Sequence, residues 1–217
     1  MPPLFELSGI RFAYPGQPPI LTQASLVLGA GERIALTGPN GAGKSTLLHL
    51  MVGLLTPQAG QLMAFGQARR REPDFIEVRR RTGLVFQDAN DQLFCPTVAE
   101  DIAFGPLNLG QSRAEVRERV NRTLERLCLR HLRDRVTHRL SGGEKRLVSL
   151  ATVLVMEPDV LLLDEPTNAL DAATRLRLIE ILDDLPQALL VVSHDEDFRA
   201  RVTRRAMLIR DGVIRAT

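Results

Sequence analysis

The sequence predicts an α/β fold: a mixed sheet with flanking helices, an antiparallel β layer and an inserted α-helical subdomain. Three observations predict it. A glycine-rich turn joins an apolar run to a segment with helical periodicity, across 34–54. Apolar runs at 160–163 and 188–192 have the composition of buried parallel strands. Residues 99–139 have little β-propensity, which favours helices there. We therefore expect one domain over residues 1–217, with a core at 1–87 and 157–217 and a helical subdomain at about 88–156.

Composition limits the classes of function. The 217 residues are 44% hydrophobic, enough for one core plus a subdomain, and the net charge of +2 gives no reason to expect a nucleic-acid partner. The two cysteines, Cys95 and Cys128, form neither a disulfide framework nor a metal cluster, and we expect Cys128 in the core on a helix face. No signal peptide and no run of about 20 apolar residues is evident. We therefore expect a soluble intracellular chain whose membrane role, if any, depends on a partner.

Short β-prone segments predict the antiparallel layer. They lie at 4–14 and 26–28, separated by a Pro/Gly loop, and further strands are predicted at 61–65 and 82–86. The arginine runs 69–71 and 79–81 are interpreted as solvated faces. Tyr14, the only tyrosine, ends the first segment, where it is either an aromatic that stacks on a purine or an ordinary strand-end residue.

Helices are predicted in the second half of the chain. Periodicity dissolves over 88–110, and a helix then begins at Ser112, whose pairing with Glu115 matches a capping box. Ser141 is a natural N-cap for a helix extending to about residue 156. A helix at 172–184 and a hairpin at 206–215, turning at Asp-Gly, complete the chain.

The glycine-rich turn has the composition of a phosphate-binding loop. It fits G-x-x-x-x-G-K-[ST] between a strand and a helix, where glycines let backbone N–H groups surround phosphate oxygens and the helix N-terminus attracts anions. Lys44 can reach the β- and γ-phosphates, and the Ser45 hydroxyl can ligate Mg²⁺. The predicted nucleotide-binding residues of this loop are Gly38, Pro39, Asn40, Gly41, Ala42, Gly43, Lys44, Ser45 and Thr46.

Polar side chains follow three other predicted strands. Gln87 comes after 82–86, Asp164 and Glu165 after 160–163, and His194 after 188–192. Because ligand sites of α/β sheets lie at the carboxyl ends of strands, we expect these side chains to meet the loop. Asp164 suits Mg²⁺, and Glu165 suits a general base or a residue that positions water. Gln87 could contact both metal and water, and His194 could sense the γ-phosphate.

In this order, the motifs resemble the nucleotide-binding subunits of ABC transporters over essentially the whole chain. Residues 37–46 resemble the Walker A loop, 140–144 the signature, 161–165 the Walker B strand with its catalytic glutamate, and 168–171 the D-loop. Gln87 resembles the Q-loop glutamine, and His194 the switch histidine.

The resemblance implies ATP and Mg²⁺ as cofactors and a homodimer with two composite sites. In this family the signature of one subunit closes over the ATP of the other, which implies roles for Ser141, Gly142 and Gly143, and for Asp171 of the D-loop. Tyr14 falls where the family stacks an aromatic residue on adenine. Glu144 departs from the commoner glutamine of the signature, a change that should leave the backbone and serine contacts intact.

Residues 87–110 are similar to the energy-coupling-factor branch, especially the ATPases of cobalt and nickel uptake. This implies a transmembrane coupling protein and a substrate-binding membrane subunit as partners, and a peripheral location on the cytoplasmic face of a bacterial cell membrane. Phe94, Val98, Ile102 and Phe104 could line a groove beside Gln87 for a partner helix, or pack the subdomain core. The chain ends soon after Gly212, whereas many metal-uptake members continue, which favours biotin or another vitamin as the alternative substrate.

Two other classes of function remain open. A soluble ABC ATPase for translation or DNA repair usually carries tandem domains or a long coiled-coil insertion, for which this length leaves no room. A nucleotide switch that does not hydrolyse is disfavoured by Glu165 and His194. The sequence therefore predicts an ATPase that drives import of cobalt or nickel.

Overall fold

The antiparallel layer is formed by the four strands β1 (Phe5–Phe12), β2 (Leu21–Leu28), β4 (Ala59–Ala64) and β5 (Gln67–Ala68). Their order in the sheet is β2-β1-β4-β5. The computed structural model describes residues 2–217. Buried and exposed residues largely alternate along β1 and β2, as expected for a sheet with one face on the core. The predicted antiparallel layer is confirmed.

A second sheet of six strands has the order β10-β9-β3-β8-β7-β6. Neighbours from β9 to β7 pair in parallel and β10 pairs antiparallel with β9, so the predicted mixed sheet is confirmed. Every residue of β7 and β8 is buried, because parallel strands are covered on both faces. The strands are β3 (Arg33–Thr37), β6 (Thr82–Val85), β7 (Val160–Asp164), β8 (Ala188–Val192), β9 (Arg205–Arg210) and β10 (Val213–Ala216).

The chain divides into two compact units. The first comprises residues 2–84 together with 159–165 and 186–217, and contains helices α1 (Lys44–Met51), α2 (Phe75–Arg81) and α7 (Glu196–Val202). The second, the helical unit, comprises 85–158 and 166–185. Its helices are α3 (Val98–Asn108), α4 (Arg113–Arg126), α5 (Gly142–Leu154) and α6 (Ala172–Asp183). The subdomain boundaries at 88 and 156 remain a prediction.

Helix α1 anchors the core of the first unit. Leu47, Leu48, Leu50 and Met51 are fully buried, and each such side chain contributes about 1.5–3 kcal/mol by leaving water. The helix ends three residues before the predicted Leu54, because Gly53 adopts φ 74°, and a Cβ there would lie 2.3 Å from the Phe75 ring. The chain must therefore turn at Gly53. None of the helices in residues 2–217 has the length and apolar character needed to cross a bilayer.

Residues 98–108 form α3, a helix that the low β-propensity of 99–139 indicated although periodicity did not mark it within 88–110. Thr97 and Glu100 make a capping box that starts the helix. Gly105 and Pro106 obscured its periodicity, yet Gly105 allows close packing, since a Cβ there would lie 2.6 Å from Met156 Sδ.

Arg69 is buried, so the interpretation of 69–71 as a solvated face is wrong at that residue. Its guanidinium is 5% exposed and donates to the carbonyl oxygens of Ala64 and Asp74 and to the Glu77 carboxylate, at 2.6–3.1 Å. A buried arginine is tolerated because each of these acceptors compensates for lost water. It ties β4 to α2.

Cys128 is exposed, so its predicted place in the core is wrong. Helix α4 ends before it, and Cys128 takes φ 51° in the turn that follows. The N–H of Leu129 donates to the Leu124 carbonyl and that of Cys128 to Glu125, the hydrogen bonds of a Schellman cap. The cap rotates the thiol away from the apolar face that periodicity assigned to it.

Candidate functional site

Three of the predicted strand ends meet at one edge of the parallel sheet. Val192 at the end of β8 pairs with Leu36 on one side and with Asp164 on the other. The residues that follow these strands, which are the glycine-rich loop, Glu165 and His194, therefore emerge together. Gln87, the fourth, follows β6 and belongs to the helical unit.

The glycine-rich loop needs glycine at its two ends. Gly38 has φ 148°, and a Cβ there would lie 2.3 Å from the Ile209 carbonyl oxygen. Gly43, with φ 95° in the left-handed region, precedes the first residue of α1. Because α1 starts at Lys44, the unsatisfied N–H groups of its first turn face the loop, which makes an anion-binding site.

Lys44 lies within this loop. Its side chain is 8% exposed, and Nζ donates to the carbonyl oxygens of Gly38 (2.9 Å) and Pro39 (3.0 Å). Ser45 is half-buried, and Thr46 is buried. A buried ammonium group beside unsatisfied backbone N–H groups concentrates positive charge, as binding of a polyphosphate requires.

Glu165 is held in an unusual backbone conformation. Its φ of 44° lies in the left-handed region, which costs a residue with a Cβ about 1–3 kcal/mol. Strained residues of this kind cluster at functional sites. The backbone N–H of Glu165 donates to the Val192 carbonyl at 2.8 Å, and its side-chain Oε2 accepts the backbone N–H of His194 at 3.3 Å. His194 Nε2 lies 3.4 Å from Glu165 Oε1. The carboxylate is 8% exposed and the imidazole 56%, so a buried base lies beside an accessible histidine.

Tyr14 is connected to the start of α1. Its hydroxyl forms a 3.1 Å hydrogen bond with Thr46 Oγ1, and its ring packs edge-on against Phe12 at 5.0 Å between centroids. The half-buried ring therefore lies beside the phosphate loop, whereas its stacking on a base remains a prediction.

The signature residues start helix α5. Ser141 is the N-cap, accepting the Glu144 N–H at 3.2 Å, while Glu144 Oε2 accepts the Ser141 N–H at 2.7 Å. The Ser141 bond uses a lone pair, so the hydroxyl proton can still be donated to a phosphate oxygen. Gly142 faces open space, and Gly143 approaches α6 closely, since a Cβ there would lie 3.0 Å from Thr174.

Asp171 caps α6. Its Oδ1 accepts the N–H groups of Ala173 and Thr174 at 2.9 Å, and its Oδ2 accepts the Thr174 hydroxyl at 2.7 Å. The Thr174 N–H contributes most to keeping the pKa of Asp171 below its usual value. Its predicted role toward nucleotide must therefore coexist with this capping.

Glu144, which departs from the family signature, is expected to confer a pH dependence on stability. The hydrogen bond from the Ser141 N–H lowers its pKa, so the contribution is complete above about pH 4.3 and is lost as pH falls through the lower folded-state pKa. Glu144→Gln should lower the melting temperature slightly at pH 7, and this difference should shrink below about pH 4.3. Thermal unfolding across pH measures it, with Glu180→Gln, an exposed carboxylate within α6, as the control. A difference that grows in acid would contradict the assignment.

Gln87 is exposed, and its backbone is bound by a residue that sequence reasoning missed. Buried Arg146 donates to the carbonyl oxygens of Phe86 and Gln87, and Gln92 bridges the same segment to α5. One feature of the sequence could have identified Arg146: it lies one helical turn before Leu150 on the apolar face of α5, where an arginine needs a partner.

The four apolar residues predicted to line a groove divide into two pairs. Val98 and Ile102 are fully buried, so of the two alternatives they pack the core. Phe94 is 63% exposed and Phe104 is 44% exposed, and their rings meet edge-on at 4.8 Å. Both rings are thus available to a partner.

A phosphate loop with a buried lysine, adjacent to a strand-end carboxylate and a histidine, defines an α/β protein that hydrolyses nucleoside triphosphates. The family described as ABC transporter matches residues 21–168. The chain belongs to the ABC transporter family as an ATP-binding subunit and an ATPase.

Two relatives illustrate the similarity. A putative ABC transporter ATP-binding protein of Nitratidesulfovibrio vulgaris is 50% identical over 98% of this chain and 78% of its own length. The cobalt import ATP-binding protein CbiO of Rhodobacter capsulatus is 46% identical over 100% of this chain and 79% of its own length.

Two solved structures have the same fold. CbiO1 of Clostridium perfringens, described as part of the ABC transporter complex CbiONQ, superimposes with a TM-score of 0.88 at 31% identity, covering 99% of this chain and 88% of that chain. The ATP-binding cassette MJ0796, a dimer in a post-hydrolysis state with ADP and Pi, superimposes with a TM-score of 0.86 at 26% identity. The match covers 98% of this chain and 98% of that chain.

Proposed function

We propose that this chain is the ATP-hydrolysing subunit of an energy-coupling-factor importer and drives uptake of cobalt, or of nickel, through membrane partners. The observation that carries the proposal is the 46% identity to a cobalt import ATPase along the whole chain. The similarity to a subunit of the CbiONQ complex supports it. Biotin or another vitamin is the alternative substrate.

We assign the hydrolytic roles to the residues at the sheet edge. Glu165 acts as general base toward the attacking water, and His194, whose ring is accessible, senses the γ-phosphate. Lys44 and the loop residues 38–46 bind the phosphates, and Tyr14 stacks on adenine. The burial of the Glu165 carboxylate supports its role as the base, since bulk water has little access to a buried carboxylate.

We assign Mg²⁺ to oxygen donors of this chain. Ser45, Gln87 and Asp164 offer a hydroxyl, an amide and a carboxylate, the hard oxygen ligands that Mg²⁺ prefers. Mg²⁺ is usually bound by one or two protein side chains together with substrate phosphates. Bound Mg²⁺ neutralises charge on the phosphate oxygens.

We infer that two copies of the chain form a homodimer with two shared ATP sites. Ser141, Gly142 and Gly143 of one copy would close over the nucleotide bound by the loop of the other, with Asp171 nearby. The dimeric cassette of the same fold supports this arrangement. Ser141, Gly142 and Asp171 are exposed, which leaves them accessible to a second subunit.

We place the membrane partner on the apolar surface of the helical unit formed by Phe94, Phe104, Leu107 and Leu109. All four are at least 38% exposed, the rings of Phe94 and Phe104 meet edge-on at 4.8 Å, and clusters of exposed apolar side chains mark interaction sites. A helix of a transmembrane coupling protein would cover them, which places the chain on the cytoplasmic face of the membrane beside a substrate-binding membrane subunit.

The test is co-purification with the membrane proteins encoded beside the gene, followed by ATP-dependent uptake of labelled Co²⁺, Ni²⁺ and biotin into vesicles. Metal uptake that Glu165→Gln abolishes would support the proposal and identify the ion. Uptake of biotin alone would preserve the mechanism and change the substrate. If no membrane protein co-purifies, a soluble ABC ATPase becomes the better reading.

A further inference from the structure

The segment that carries Gln87 is bound to helix α5 by a buried arginine. Arg146 is 5% exposed, and its two terminal nitrogens donate to consecutive carbonyl oxygens, Nη1 to Phe86 at 2.6 Å and Nη2 to Gln87 at 2.5 Å. Charge-assisted bonds of this length are strong, and the planar guanidinium group fixes the direction of both. The position of the Gln87 backbone is therefore fixed relative to α5.

Gln92 makes a second, independent connection. Its Oε1 accepts the Phe86 N–H at 3.2 Å, and its Nε2 donates to the Ser149 carbonyl at 2.7 Å and to the Thr152 hydroxyl at 2.8 Å. Phe86 is thus held to α5 through both its N–H and its carbonyl group. On the exposed side, Lys145 Nζ donates to Asn90 Oδ1 at 2.8 Å. We call these bonds between residues 86–92 and α5 the α5 clamp.

The same helix begins at the signature. Ser141 caps α5, and Arg146 follows within its second turn, joined to the cap by continuous helical hydrogen bonds. Both belong to one compact unit. A displacement of Ser141 along or around the helix axis is therefore transmitted to the Gln87 backbone without an intervening flexible segment.

We propose that Arg146 is a positioning residue through which the two nucleotide sites of the dimer sense each other. This rests on the proposed dimer, in which Ser141 engages ATP bound to the partner while Gln87 serves the site of its own subunit. Docking of α5 on the partner's nucleotide then places Gln87 for hydrolysis in its own site. The clamp makes each site depend on occupancy of the other.

The test is the ATP-concentration dependence of hydrolysis by the purified full chain. We expect a wild-type Hill coefficient between 1 and about 2, the limit for two sites. Arg146→Ala should reduce it to about 1, with nucleotide binding to the monomer changed less than about twofold. Arg146→Lys should be intermediate, because an ammonium group lacks the fork that holds two carbonyls. In a Gln87→Ala background Arg146→Ala should have no further effect, since both act on one element.

Arg119→Ala is the matched control. Arg119 also donates from a helix of this unit to a backbone carbonyl, that of Val155, but does not contact residues 86–92. The Arg119→Ala variant should keep the wild-type Hill coefficient. Gln92→Leu breaks the other half of the clamp and should act as Arg146→Ala does, so it provides the test if Arg146→Ala does not fold.

Three outcomes would overturn the inference: wild-type cooperativity in both clamp variants, an equal loss in Arg119→Ala, or a dimeric wild-type chain that hydrolyses ATP without cooperativity. A failure of the proposed transport function is distinguishable, because absence of metal uptake leaves the Hill coefficients of the purified chain unchanged.

Discussion

Replacing Glu165 by glutamine is expected to slow ATP hydrolysis on the order of 10²–10⁴-fold while ATP binding changes less than about twofold. The amide cannot accept the proton of the attacking water, yet its oxygen can still accept the His194 N–H that holds the carboxylate. The left-handed backbone should persist, because the N–H bond to Val192 does not involve the side chain. Phosphate release under single-turnover conditions and equilibrium binding of ATP measure the two effects.

Glu157→Gln is the matched control. Glu157 is a second glutamate in the left-handed region, with φ 53°, and it pairs with Arg119 at 3.4 Å away from the strand end. The same substitution there should leave hydrolysis unchanged. Undiminished hydrolysis by Glu165→Gln would refute the assignment of the base, and an equal loss of ATP binding would assign Glu165 a role in the ground state.

Lys44→Ala is expected to weaken ATP binding roughly 10- to 100-fold and to reduce turnover strongly. A hydrogen bond to a charged group contributes about 1.5–3 kcal/mol, and here the ammonium group is already desolvated inside the loop, at 8% exposure. Its removal leaves the loop without its cation, and the Gly38 and Pro39 carbonyls lose a donor. Titration with ATP, together with melting temperatures without nucleotide, separates binding from loop stability.

The chain offers one natural control, because Lys44 and Lys145 are its only lysines. Lys145 lies on α5 and donates to Asn90 at the surface of the helical unit. Lys145→Ala should leave ATP affinity at the wild-type level. If Lys44→Ala binds and hydrolyses ATP as the wild type does, the phosphate-binding role is refuted.

Local pattern was sufficient for the elements around the glycine-rich loop. The strand–glycine–lysine–helix order predicted the loop, and apolar runs predicted β7 and β8 with polar residues at their ends. The capping box at Ser112 and the N-cap at Ser141 were likewise predictable, since each depends on residues at most three positions apart. These features are encoded within a few residues, where backbone geometry and side-chain chemistry decide them.

Pattern failed where distant segments decide the environment. The burial of Arg69 depends on the carbonyl groups and the carboxylate that β4 and α2 supply. The exposure of Cys128 follows from a cap that ends α4 at Arg126, three residues before the end at Leu129 that periodicity predicts. The bounds of α3 were hidden because its glycine and proline interrupt the periodicity, whereas Gly105 is accommodated by close packing in the helical unit.

The sequence by itself therefore determined the fold class, the phosphate loop and the identity of the candidate base, because each is written in short-range composition and spacing. Only the tertiary structure decided that Val192 joins the loop strand to Asp164, that His194 holds the Glu165 carboxylate, and that Arg146 binds the backbone of Gln87. The physical reason is that contacts between residues 28 to 156 positions apart depend on how strands and helices pack, which no local pattern specifies.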